Sequence, residues 1–207
     1  LYGNMASLSG AGTSFQWMKD SILGSEHYDV INAQCEKRIG NNPELFFVPF
    51  LAGAAYPYWV SNAKGGFSGL GLQHDKYDMA LSVMEASAFS VKKTLDDFET
   101  NGQSVQCLKV MGGATKSAVW MGILKSVLPI RIEQMSFPDV CAVGAAAIAM
   151  VASGLFPNYE SVACVTMASH DIPDQGNSKL AYYKEKYEKA MQWVEYSVNY
   201  YRRSDCK

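Results

Sequence analysis

Two glycines, Gly112 and Gly113, stand between a strand-like run, "VQCLKVM", and a helix-like run that starts near Ser117. In α/β sheets, ligands gather at the C-terminal ends of strands. Glycines there let a ligand approach the backbone, and the free N–H groups of the next helix can receive an anion. Lys116 stands where it could reach a phosphate or simply be solvated. Two fingerprints are excluded by spacing. Thr115 occupies the place where a Walker A loop needs a glycine before Lys116-Ser117, and the run is not G-x-G-x-x-G. A second small-residue loop, "SGAGTSFQW", feeds another helix and could also receive a phosphate. Taken alone, each turn reads better as a tight turn or ordinary cap without a ligand.

Other residues with chemical potential are scattered. His27, His74 and His170 lie far apart, each beside an acidic residue, which describes solvated surface rather than a metal site. There is no nucleophile elbow and no H-E-x-x-H. Glu85 interrupts an apolar helical stripe at "VMEASAF", where a carboxylate suits an interhelix hydrogen bond better than catalysis. Trp17, Trp120 and Trp193 sit at spacings that suit helix packing.

These candidates belong to a chain of 207 residues, enough for one or two domains with a real core. Hydrophobic residues make up 48% and charged residues 18%, a globular balance. A net charge of -2 argues against nucleic acid or an anionic membrane as main partner. Cys35, Cys107, Cys141, Cys164 and Cys206 include no C-x-x-C pair, so free thiols in a reducing cytoplasm are expected. No signal peptide is evident, and the most apolar stretch, Val140 to Ala152, is too short to span a bilayer and reads as a buried helix. The chain opens on Leu1, not Met, in the loop-like "LYGNMASLSGAGTS", as a piece of a longer protein would.

The elements that must position the turns follow from periodicity. A first helix begins at Thr13 or Ser14 as cap, with Phe15, Met18 and Ile22 on one face. A second covers Tyr28 to Ile39. Leu45 to Phe50 reads as a buried strand, followed by a long glycine-rich loop of the kind that is often functional. The helix from Tyr77 to Phe98 carries the stripe Tyr77, Ala80, Leu81, Met84, Ala88, Val91, Leu95 and Phe98, capped by Asp75. "PIRIEQM" is a further strand, and Leu180 to Arg202 forms a long amphipathic tail helix. Alternating strands and helices predict an α/β domain.

In order, "GAGTSFQWMKD", "LFFVPFLAGAAYPYW", "AKGGFSGL", "MEASAFSVKKTLD", "KVMGGATKSAVWMGILKSVL" and "AVGAAAIAMVASGLF" resemble the C-terminal domain of the FGGY carbohydrate kinases. The resemblance runs from about Gly10 to Phe156, and "FFVPFLAG" with "SGLGLQHD" resembles the xylulokinase branch. It implies an actin-like, ribonuclease-H-like α/β fold with a mixed sheet flanked by helices. Residues 1–207 would be the C-terminal nucleotide-binding domain, with the 157–207 tail part of it. The sugar-binding N-terminal domain would lie outside this chain.

The resemblance also implies ATP with Mg2+ as cofactors. The glycine turn, Gly112, Gly113, Ala114 and Ser117, would lie against the adenosine. Gly12 and Gln16 would lie near the phosphates. The family's Asp-x-Gly-Thr phosphate loop and its catalytic aspartate would be upstream, so this chain alone is expected to be inactive. Two departures bear on the sugar. Ala54-Ala55 replaces a common Glu-Arg, and Lys64 replaces a common Arg. ATP or ADP and a sugar are the implied partners, a face without its neighbouring domain would favour a homodimer, and the alternative is a non-catalytic actin-like nucleotide-binding or interaction module.

Overall fold

The computed structural model describes residues 5–137, 139–166, 168–172 and 179–204. Its centre is a helix, α3 (Lys76–Thr100), on which α1 (Ala11–Ser21), α2 (Tyr28–Glu36), α4 (Ala118–Val127) and the strand β1 (Phe46–Val48) all pack. Twenty-five residues at a rise of 1.5 Å make α3 roughly 37 Å long, enough to span the domain. Asp75 starts it with a full capping box. Its carboxylate accepts from the N–H groups of Tyr77 and Asp78, and Asp78 accepts from the N–H of Asp75. The expected stripe is there, but the burial is wider. From Ala80 to Phe89 every residue is buried, because helices cover α3 on several sides.

Two sheets complete the frame. β1 pairs antiparallel with β2 (Gly66–Ser68), which lies inside the segment expected to be a loop. In the second sheet, β3 (Cys107–Val110) runs parallel to β4 (Arg131–Met135), and β5 (Ser169–Asp171) pairs antiparallel with β4. A short 3-10 turn, Gly113–Lys116, and α4 make the β3-to-β4 crossover that parallel strands require. Leu81, Met84, Ile123 and Ile132 are essentially without solvent contact in the main core. Each such side chain stabilises the fold by about 1.5–3 kcal/mol. A second cluster joins Val48, Phe50, Val60 and Ala63 to Val194 and Val198 of α7 (Leu180–Ser204), so the loop after β1 is fastened to the tail helix.

Three expectations need correcting. Thr13 and Ser14 do not cap α1. Gly10 does, in the left-handed region at φ +43°, and both residues lie inside the first turn. Helix α2 stops at Glu36 rather than Ile39. Helix α5 (Val140–Ala152) is not buried: none of its residues is, and Ile148 is 60% exposed. Its small residues pack with α6 (Tyr159–Thr166) and leave an apolar face in water. Among the described residues, no helix is long and apolar enough to cross a membrane.

Cys35, Cys107, Cys141 and Cys164 are free thiols, whereas Cys206 lies outside the described residues, as do residues 1–4 of the opening loop. Burial pushes the Cys35 thiol up to about 12, which makes it an inert core group.

Candidate functional site

A single open cleft of about 510 Å³ gathers residues from five elements. Gly12 and Gln16 come from the first turns of α1, Gly113 and Ala114 from the 3-10 turn, and Ser117 from the start of α4. Phe15, Met84 and Trp120 add an apolar wall. Five of the six residues singled out in the sequence therefore share one cavity, although α1 and the 3-10 turn are about a hundred residues apart in the chain. The sixth, Gly112, does not line it. It starts the 3-10 turn at φ +91° and ψ -170°, a conformation that essentially only glycine adopts.

Gly113 has a different role. A Cβ built on it would meet nothing within 4 Å, and the same holds at Gly12. Neither glycine is demanded by packing, and both leave space open at the cleft wall.

The remaining geometry is held by hydrogen bonds. Ser117 is the N-cap of α4. Its Oγ accepts from the Trp120 N–H at 3.1 Å and donates to Oδ1 of Asn32 at 2.8 Å. The indole Nε1–H of Trp120 donates to Ser87 Oγ at 2.6 Å, and the ring lies 5.0 Å from that of Phe15. The wall is thereby fixed to the central helix. Gln16 is held at both ends: its Nε2 donates to Asp20 at 2.7 Å and its Oε1 accepts from the Tyr28 hydroxyl at 3.2 Å. Lys19 lies over the Tyr28 ring at 5.0 Å. Lys116 also lines the cleft.

Behind Met84, Glu85 meets Lys186 of α7 at 2.6 Å, the interhelix bond that its place in the stripe suggested. Burial pushes the Glu85 carboxyl up, opposed by the Lys186 ammonium and by Tyr183. The three histidines stay apart. His27 caps α2, His74 accepts from the Gly71 N–H, and His170 sits on β5. Among the described residues, no group of three or more His, Cys, Asp or Glu side chains could hold a metal ion.

Sequence reasoning missed one whole wall. Tyr28, Asp29 and Asn32 of α2 all line the cleft. Tyr28 and Asn32 are i and i+4, so they share a helix face, but nothing in "YDVINAQCEK" marks that face as chemical. Trp120, expected only to pack, both packs and lines the cleft, while Trp17 and Trp193 are substantially exposed.

Residues 1–153 match the model of the FGGY family of carbohydrate kinases, C-terminal domain. A xylulose kinase of Staphylococcus epidermidis is 26% identical over 178 residues, 86% of this chain and 36% of that protein. A glycerol kinase of Enterococcus casseliflavus is 29% identical over 162 residues, 78% of this chain and 32% of that protein. The chain thus spans about a third of the length of these relatives. Among solved structures, a ligand-bound xylulose kinase from Lactobacillus acidophilus superposes with a TM-score of 0.80 at 20% identity, covering 93% of this chain and 39% of that one. Plasmodium falciparum glycerol kinase with ADP gives 0.73 at 21% identity, covering 91% and 38%. At such identities the likeness shows the fold, the mixed α/β actin-like ATPase fold of these kinases.

Proposed function

The chain belongs to the FGGY family of carbohydrate kinases, matching its C-terminal domain, and we propose that it is the ATP-holding half of a sugar or polyol kinase. The observation that carries this reading is the single cleft that unites Gly12 and Gln16 with Gly113, Ala114 and Ser117. An apolar wall of Phe15, Met84 and Trp120 suits the flat face of a base, and the open space at Gly113 suits close approach of a nucleoside to backbone. No side chain caps α1, so its first N–H groups are available to phosphate oxygens beside Gly12. In support, one structure of the same fold is a glycerol kinase with ADP.

The proposed reaction moves the γ-phosphoryl group of ATP to a sugar hydroxyl. Such transfer rests on positioning and charge stabilisation, and the hydroxyl needs a base to take its proton. Mg2+ would arrive with the phosphates, bound through few protein groups, as it commonly is in kinases. This chain's part is to bind and orient the nucleotide. The base is not in the cleft. Its one carboxylate, Asp29, has an 87% exposed side chain facing His27 at 3.1 Å. We assign the base and the sugar pocket to the rest of the protein. A ketopentose such as xylulose is the favoured substrate class, because relatives in sequence and in structure carry that name, beside glycerol and gluconate kinases. A cytoplasmic setting, with reduced thiols, goes with this reading.

A coupled ADP-release assay with xylulose, glycerol and gluconate tests it. Sugar-dependent turnover is expected from the whole reading frame and not from the 207-residue chain. Turnover by this chain alone would contradict the division of labour.

A further inference from the structure

We propose that Asn32 selects the base of the nucleotide, donating its side-chain amide to a ring nitrogen that is a bare acceptor in adenine and carries a proton in guanine and hypoxanthine. The proposal rests on the nucleotide reading of the cleft and deepens it.

Asn32 lines the cleft from α2, beside the Ser117 end of the glycine turn. Its carboxamide is oriented. Ser117 Oγ accepts the Trp120 N–H and donates its single proton to Asn32 Oδ1 at 2.8 Å. With Oδ1 engaged, the amide N–H2 is the end left to act, and it is a donor only. Ser117 is itself buried and fixed as the cap of α4, so the orientation is set before any ligand arrives.

The direction of the nucleotide then decides what that donor meets. With the ribose at the Gly113 turn and the phosphates toward the first turn of α1, the edge of the base farthest from the ribose is its Watson–Crick edge. Of the lining residues, those of α2 then remain to meet that edge, with Asn32 at the Ser117 end and Tyr28 at the Gln16 end. There adenine offers an unprotonated N1, whereas guanine and hypoxanthine offer N1–H. A fixed amide donor bonds the first and opposes the second. A site built to hydrogen-bond a group rejects the analogue that lacks it, because its own polar atom is left unpaired.

The test is the ratio of ATP to ITP affinity, read by calorimetry on the 207-residue chain, Asn32→Ala and Asn32→Asp, with inorganic tripolyphosphate as a base-free competitor and a circular dichroism melt on each protein. The unchanged chain should prefer ATP. N32A should lose that preference by about five- to tenfold, the worth of one hydrogen bond. N32D, which places an acceptor where the donor was, should bring the ratio to favour ITP. Tripolyphosphate should compete as well against N32A as against the parent. An ATP-to-ITP ratio unchanged in folded N32A or N32D would overturn the role of Asn32 while leaving the cleft a nucleotide site. If N32A unfolds, the ratio in N32D alone decides. Absence of any nucleotide binding by the unchanged chain would overturn this inference together with the reading beneath it.

Discussion

Lys186 of α7 holds its Nζ 2.6 Å from Oε2 of Glu85 on α3, with the two side chains 2% and 1% exposed. The pair fastens the tail helix, which lies beyond the family match at residue 153, to the helix whose Met84 lines the cleft. A buried pair of this kind costs desolvation on both sides, so it is weak as a source of net stability. Breaking it is another matter. Lys186→Met leaves the Glu85 carboxyl without its cation in a site that already pushes it up. A loss of about 3–5 kcal/mol is expected in urea unfolding, with most of it recovered in the double variant Glu85→Leu/Lys186→Met. If K186M falls within about 1 kcal/mol of the parent, the ammonium is hydrated and the two helices are not coupled through it.

Acid should loosen the three-stranded sheet. The Ser169 hydroxyl, donating at 2.6 Å, holds the Glu133 carboxyl below its ordinary range, helped by Arg131 and Lys109. Arg131 does the same for Asp171. Carboxylates with lowered folded values stabilise the fold above their unfolded range, near pH 4, and lose that contribution as the pH falls through the folded values. Unfolding midpoints should therefore hold from pH 7 to about 5 and drop below about 4. The difference between the parent and Glu133→Gln isolates one group. It should shrink as the pH falls, and a difference that stays constant down to pH 3 would show that Glu133 does not contribute to the acid response.

The bare apolar face of α5 predicts self-association of this chain. Contiguous apolar surface on a soluble protein marks a contact, and these relatives carry roughly twice as much further chain that could cover it. For the 207-residue chain, the occupant proposed is a second copy. Light scattering over a concentration series should show dimers, and Ile148→Glu, at a position 60% exposed, should return the chain to monomer without lowering its melting temperature. A parent that stays monomeric at high concentration, or dimers untouched by I148E, would contradict this.

Much of the frame could be read from the chain because its signals are local. The Asp75 cap, the stripe of α3 and the strand–glycine–helix turn at Gly112-Gly113 each lie within a few residues. The failures are of another kind. Burial of α5 was inferred from composition, but composition cannot say whether a neighbour exists to cover an apolar helix. Nothing local sets Lys186 apart from the other lysines of the tail helix, because its partner Glu85 lies 101 residues away. Asn32 and Tyr28 were invisible as site residues for the same reason: the Ser117 hydroxyl that orients Asn32 is 85 residues distant. The cleft residues that were found came from glycine-rich turns and a family resemblance, not from a pattern that shows a cavity.

The central claim, that this cleft takes ATP against the glycine turn, is tested most directly at Gly113. A Cβ there meets nothing within 4 Å, so Gly113→Val should fold and melt much like the parent while filling the space through which a nucleoside approaches the backbone. ATP and ADP are titrated by calorimetry into both proteins, with the melting temperature of each recorded. Weak but measurable binding is expected of the parent, with a loss of at least about tenfold in affinity in a G113V that is still folded, as expected where a side chain displaces a ligand's contacts. Full nucleotide affinity in folded G113V, or no binding by the parent at millimolar nucleotide, would contradict it.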